Sequence, residues 1–236
     1  MTGNYETAVL RMERYVNGQC RHPPGYDSCM DKQTTAALLR VQFYPILKAQ
    51  GFVRSGDVLR RVDSPVAHVV EVVHQPRRGV FRVDLGVHLT LLGDVSRHAV
   101  DPAKIREADC AWRSSVIPGF RNDHDPDFVY GSNPEEASES VAFLVSEWDR
   151  QSNAFFGPLT HWPEDFHEAA RAAADAPPHP AHLLTWARVA GLIGDADLAR
   201  RCAEVALPSV PERATALREA LEGIVRDPQT AVPQLR

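Results

Sequence analysis

Nothing in this sequence reads as a membrane span: no stretch approaches the roughly 18 uncharged apolar residues that crossing a bilayer needs. The opening MTGNYETAVLRMERYVNG also lacks the apolar centre of a signal peptide, so a cytoplasmic location is expected. Cysteine is sparse. The four residues Cys20, Cys29, Cys110 and Cys202 include no C-x-x-C pair, which argues for reduced thiols rather than a disulfide framework. Lysine is confined to positions 32, 48 and 104, and the surplus of arginine and alanine over lysine and isoleucine suits a GC-rich bacterial genome without carrying a mechanism. Basic charge is not in excess either. A net charge of −5 and a pI near 6.1 give no general grip on nucleic acid or anionic lipid, so neither is an expected partner. The signatures of common chemistries are missing as well: there is no G-x-S-x-G, no Gly-rich phosphate loop, no kinase set, no H-x-x-x-H and no H-E-x-x-H. No cofactor is therefore expected.

What is present is enough apolar material for a core. With 44% of its 236 residues hydrophobic, the chain suits an α+β domain with an appendage. Residues 1–29 read as a polar N-terminal extension, with a short helix over Glu6 to Val16 and the turn-rich RHPPGYDS after it. The α+β domain is expected over 30–174. Its first helix spans Thr34 to Gln50, where Leu38, Leu39, Phe43, Ile46 and Leu47 recur at helical spacing and Gly51 stands at the left-handed cap position. Pro45 removes a backbone donor, so a bend or break is expected between Val41 and Pro45. Three antiparallel strands follow, Val58 to Val62, Val66 to Gln75 and Val80 to Leu92, with a fourth over Asp109 to Ile117. Together these make a three- or four-stranded sheet. Asn133, Pro134, Glu135 and Glu136 then mark a helix start, and another helix is expected over Pro163 to Ala174.

DAPPHP, residues 175–180, reads as a linker, and 181–236 as a helical appendage with helices meeting at Gly194-Asp195 and a third over Glu212 to Val225. Ala187, Leu192, Gly194, Asp195, Ala199, Ala206, Leu207 and Pro211 follow a pattern that resembles half of a tetratricopeptide unit. A single copy builds no stacked groove, so these helices are expected to cap the main domain.

A second resemblance covers about residues 30–160. It rests on Leu47, Lys48, Gly51 and Phe52, on Gln75, on Phe81, Val83, Leu85, Gly86 and Val87, and on the C-x-x-R feature Cys110 and Arg113. In that order these are similar to the bacterial domain of unknown function family 4304, and Phe128 and Tyr130 stand nearest to its later aromatic pair. The resemblance implies an α+β fold beginning near Met30 and a bacterial source. It brings no activity and no catalytic residues.

The strand VFRVDLGVHL poses the functional question. Phe81, Val83, Leu85, Val87 and Leu89 share the face expected in the core, while Arg82, Asp84 and His88 share the other. Simple solvation produces such alternation when one sheet face meets water. The site reading joins Asp84 and His88 to Glu71, or to His74 and Gln75, across the preceding strand. A His/Asp/Glu cluster has the lone pairs to hold a metal and activate water. Asp84 and His88 lie four apart on a strand, however, roughly 13 Å along it, too far to chelate one ion directly. No metal is expected.

Other concentrations of polar residues have ordinary readings. RNDHDPD, Arg121 to Asp127, lacks the glycine and terminal glutamate of a calcium loop, and HWPEDFHE, His161 to Glu168, looks like a first helical turn with its acids at the positive end. Cys20, His22 and Cys29 match no common zinc spacing. Arg54, Arg60, Arg61, Arg77 and Arg78, if gathered at one end of the sheet, would make a partner surface; solvated turn charge is the simpler account.

The expected function is that of a non-enzymatic protein that binds another macromolecule, most simply a protein, through Glu71, His74, Arg82, Asp84 and His88 with Arg77 and Arg78. An immunity or accessory role in a bacterial conflict system is a setting that no residue supplies. The rival expectation is a metal-dependent hydrolase using Asp84 and His88. Oligomeric state stays open.

Overall fold

The computed structural model describes residues 32–94, 96, 98–119 and 125–234. The expected helix over Glu6 to Val16 and the group Cys20, His22 and Cys29 lie outside the described residues, as does most of RNDHDPD. The helix expected over Thr34 to Gln50 is two helices, α1 (Lys32–Gln42) and α2 (Tyr44–Ala49). Pro45 cannot donate to the turn before it, and the chain breaks at Phe43, within the expected window. Gly51, at φ +86°, then ends α2: its N–H donates to the Lys48 carbonyl (3.1 Å), and the Phe52 N–H donates to Leu47 (3.0 Å). That paired closure is a Schellman cap, and it folds Phe52 back into the core.

The sheet has six strands rather than three or four. They are β1 (Val53–Ser55), β2 (Val58–Asp63), β3 (Val66–Gln75), β4 (Val80–Leu89), β5 (Trp112–Ser115) and β6 (Phe128–Val129), in the order β1-β2-β3-β4-β5 with β6 also pairing β4. β5 is shorter than the expected Asp109 to Ile117 because Glu107–Asp109 closes a 3-10 turn, and β4 stops at Leu89 because Thr90–Leu92 closes another. Both unexpected strands, β1 and β6, are two or three residues long. Such strands contain too few alternations to show a period of two.

The chain folds as two compact units, and β3 and β4 run through both. The first comprises 32–46, 74–82 and the described part of 116–148. Its core is aromatic. Phe81 stacks on Phe128 with ring centroids 5.3 Å apart and on Tyr130 at 6.2 Å, and Phe43 meets Trp148 edge-on at 5.1 Å. Here α3 (Pro134–Phe156) starts as its sequence suggests: the Asn133 side-chain oxygen accepts from the Glu136 N–H (3.0 Å), and the Glu136 carboxylate accepts from the Ser132 N–H (2.9 Å).

The second unit holds the described parts of 47–73, 83–115 and 149–234. It contains α4 (Glu164–Asp175), α5 (Pro180–Ile193), α6 (Ala196–Ala206) and α7 (Thr215–Arg226). α5 and α6 meet at Gly194, at φ +89°, and at Asp195, whose carboxylate caps the Leu198 N–H (3.0 Å) and contacts His167 (2.8 Å). Trp112 of β5 carries the helices against the sheet, with its ring 4.7 Å from Trp186 and 5.5 Å from Phe166. No helix among the described residues is long and apolar enough to cross a membrane.

One histidine ties this packing together. His68 on β3 donates from Nε2 to the Leu159 carbonyl (2.8 Å), while its Nδ1 accepts from Arg61 (2.9 Å), and its ring lies 4.8 Å from Phe156. Both ring nitrogens are used, with the imidazole neutral. Burial, opposed by the Leu159 bond and assisted by Arg61, brings its pKa down from 6.5 to about 4. The unfolded chain takes up a proton near pH 6.5 and the folded chain only near 4, so the stability His68 gives above pH 6.5 is lost as pH falls from 6.5 to 4. We expect urea unfolding at pH 5 to show a deficit on the order of 2 kcal/mol from this residue relative to pH 7. His68→Gln should unfold with a correspondingly flatter pH dependence; an unchanged slope would refute the assignment.

Candidate functional site

Directly paired residues on antiparallel strands share a face of the sheet. Val58, Arg60 and Val62 of β2 pair with Glu71, Val69 and Ala67 of β3, and Asp84 and Gly86 of β4 pair with Ser115 and Arg113 of β5. β3 and β4 are joined by the turn Pro76–Arg78, and the Thr90 N–H donates to the Pro65 carbonyl at the other end of the hairpin (2.9 Å). Counting inward from that bond sets Glu71 opposite Asp84 and Ala67 opposite His88. Glu71, Asp84 and His88 therefore share the polar face.

The middle of this face does not meet water. Asp84 and His88 are as buried as the valines and leucines between them. Segment 98–110 crosses the face and is fastened to it at several points. Arg60 donates from Nε to the Ile105 carbonyl (2.6 Å) and from Nη2 to Lys104 (3.2 Å). Arg106 forms an ion pair with Glu71, whose other oxygen accepts from the Glu107 N–H (3.3 Å). Arg113 grips Glu107 (Nη2 to Oε2, 2.9 Å), and the Ser115 hydroxyl donates to Asp84 (2.7 Å). Ile105 and Cys110 add apolar contact, clustering with Val58, Ala67 and Val69.

The charges are divided by depth. Glu71 and Glu107 are buried, whereas the Arg106 and Arg113 side chains remain 63% and 52% exposed. Each carboxylate is thus met by a guanidinium reaching in from water, and its hydrogen bond holds that arginine's pKa above the ordinary value. Cys110 lies so close to β4 that a Cβ on Gly86 would stand 2.5 Å from its sulfur and 2.8 Å from its Cβ. Burial, with Glu107 and Asp109 nearby, pushes the Cys110 thiol well up, away from any nucleophilic role.

Of the residues singled out in the sequence, the structure brings Glu71, Asp84 and His88 to one face and directs His74 elsewhere. His74 belongs with the aromatic core of the first unit, its Nδ1 3.0 Å from the Tyr130 hydroxyl. Arg82 is half-buried on β4. Arg77 and Arg78 are exposed in the turn after β3, where Arg78 bonds Gln75 (2.9 Å) and pairs with the buried Asp127 (2.7 Å). The gathering of arginines that would have made a partner surface does not form on β2: Arg60 faces segment 98–110, while its neighbour Arg61 faces His68 and Phe52 on the opposite side. His161 bonds Asp165 (3.0 Å), which also accepts the Thr160 and His161 N–H groups, in keeping with a first helical turn.

The hydrolase expectation needs Asp84, His88 and a third group to converge on one reacting atom. Asp84 is instead hydrogen-bonded to Ser115 and faces Glu71, which is engaged by Arg106. Among the described residues His88 has no hydrogen-bond partner at either ring nitrogen, and burial, partly opposed by Asp109, lowers its pKa to about 4. Among the described residues no group of three or more His, Cys, Asp or Glu is placed to hold a metal ion. Comparison with family models, curated proteins and solved structures finds no match to this chain.

Sequence reasoning missed Arg106, Glu107 and Ser115 as partners of the polar face. The available signal was Gly86, since a lone glycine inside a strand marks a close approach by other atoms. We expect Gly86→Ala to cost about 1–3 kcal/mol in urea unfolding by overpacking against Cys110. Cys110→Gly in the same chain should recover part of that loss, and strict additivity would contradict the contact. Arg106→Ala, which strands the Glu71 carboxylate, should cost about 1–3 kcal/mol, and adding Glu71→Gln should restore part of it.

Proposed function

We propose that this chain is a non-enzymatic binding protein whose partner is another protein. The reading is supported by where polar and apolar groups are spent. The carboxylates that suggested catalysis are engaged internally beneath segment 98–110, whereas apolar groups stand in water at the edge of the same sheet. Val53 on β1 is 73% exposed and Val62 on β2 is 45% exposed. Val53 pairs with Arg60, so Val62 lies on its diagonal on the same face, about 7 Å away.

This exposed valine pair is the observation that carries the proposal. Single exposed valines are ordinary, but two adjacent ones beside an arginine held to two backbone carbonyls form a fixed apolar patch with a charged rim. Kinship with family 4304 belongs to the same proposal. Three of the residues that suggest it, Gly86, Cys110 and Arg113, meet where segment 98–110 touches β4.

The test is crosslinking in the cell of origin, followed by reconstitution of any stoichiometric complex from purified components. Val53→Glu and Val62→Glu should each weaken the reconstituted complex at least tenfold while the circular dichroism spectrum and urea midpoint stay unchanged. A partner whose affinity ignores both substitutions, or no stoichiometric partner at all, overturns the proposal. Ester or phosphoester turnover lost with Asp84→Ala would establish the hydrolase instead.

A further inference from the structure

Segment 98–110 contains no helix or strand beyond its 3-10 turn, so side-chain anchors must hold it to the sheet. Beneath it lies a flaw in the packing. His88 is 2% exposed, yet among the described residues neither of its ring nitrogens has a hydrogen-bond partner. Leaving a neutral donor and acceptor unmade costs about 1–3 kcal/mol each, whereas an imidazolium in the same place would add an unpaired buried charge. Small residues, Ala67 across the strand and Gly86 two positions before it, offer the ring nothing polar.

The charged groups around this site are largely committed elsewhere. From segment 98–110, Arg106 is held by Glu71 and Glu107 by Arg113; Cys110 is an uncharged thiol that donates to the Arg106 carbonyl (3.3 Å). Asp84 on β4 accepts from Ser115, and Glu71 on β3 is the partner of Arg106. Asp109 is the charge His88 feels, and its carboxylate already accepts the Arg106 N–H (2.9 Å) from an exposed position. A protonated His88 therefore has a counter-charge committed elsewhere and no acceptor, and opening the segment gives it water.

We propose that segment 98–110 is an acid-released cover, with His88 as its trigger: proton uptake by the imidazole lifts the segment from the sheet while the helices remain folded. Local opening of this kind needs less free energy than unfolding the whole chain. The closed form takes up the proton near pH 4 and the open form near the ordinary 6.5. Between pH 7 and pH 5 the open-to-closed ratio then rises about twentyfold. The release is independent of the partner proposed above.

Cys110 and Cys202 provide the readout. Cys110 is buried where the segment meets β4, and Cys202 is buried among the helices, its sulfur 3.8 Å from the Ala170 carbonyl. The full chain is labelled with a dipyridyl disulfide, which remains reactive in acid, and each cysteine is followed by peptide mass mapping against an unfolded control at the same pH. From pH 7 to pH 5, Cys110 labelling should accelerate about twentyfold over its control, while Cys202, whose exposure needs global unfolding, stays far slower than Cys110 relative to its own control at both pH values. His88→Leu and His88→Gln should each abolish the acceleration; if the leucine variant does not fold, the glutamine variant decides. Equal labelling rates at both cysteines relative to their controls, no acceleration at Cys110, or acceleration that survives His88→Gln overturns the proposal.

Discussion

A carboxylate on a covered sheet face needs a cation and hydrogen bonds within reach, because a buried unpaired charge costs more than almost any local rearrangement. Glu71 and Glu107 satisfy that need through Arg106 and Arg113, whose heads remain largely in water. The arrangement avoids the full penalty of burying both members of a pair. Its net contribution to stability is accordingly modest, and its larger effect is positional. Arg106 and Glu107 belong to segment 98–110, so pairing them with Glu71 on β3 and Arg113 on β5 sets where that segment crosses the sheet.

From that placement the rest of the second unit follows. With the segment seated, Ile105 and Cys110 complete an apolar cluster with Val58, Ala67 and Val69, and Gly86 provides the clearance that Cys110 requires. On the opposite face, His68, Trp112 and the rings of Phe156, Phe166 and Trp186 join the sheet to the helices. The middle of this sheet is therefore covered on both sides. A strand that alternates polar and apolar residues need not have one wet face: Asp84 is buried here against Ser115, and His88 is buried with it. The β1–β2 edge is different: there Val53 and Val62 stand in water.

His68 and His88 show why burial alone does not define a histidine's role. Both are displaced to about the same pKa by desolvation. His68 uses both nitrogens, between Arg61 and Leu159, and so acts as a hydrogen-bonded joint between sheet and helix. His88 uses neither, so its neutral form is merely tolerated. The same residue type on adjacent strands is a fastening in one place and a weak point in the other.

Local chemistry was legible in the sequence where it acts over a few neighbouring residues. Pro45 broke the first helix at Phe43, Gly51 capped it, Asn133 and Pro134 started the long helix, and Gly194-Asp195 joined two others, each through backbone geometry or a nearby hydrogen bond. The ten residues of β3 and the apolar side of β4 were equally readable, since long strands display their period. Tertiary structure alone decided what lay against the polar side. Glu71 and Arg106 are 35 residues apart, and no sequence period records which face a loop will cross. The register that brought Glu71 to Asp84 and sent His74 to Tyr130 was likewise set by long-range pairing. Whether Asp84 and His88 would meet water or be covered was therefore settled only when distant side chains found each other, because burial and ion pairing depend on neighbours in space rather than in sequence.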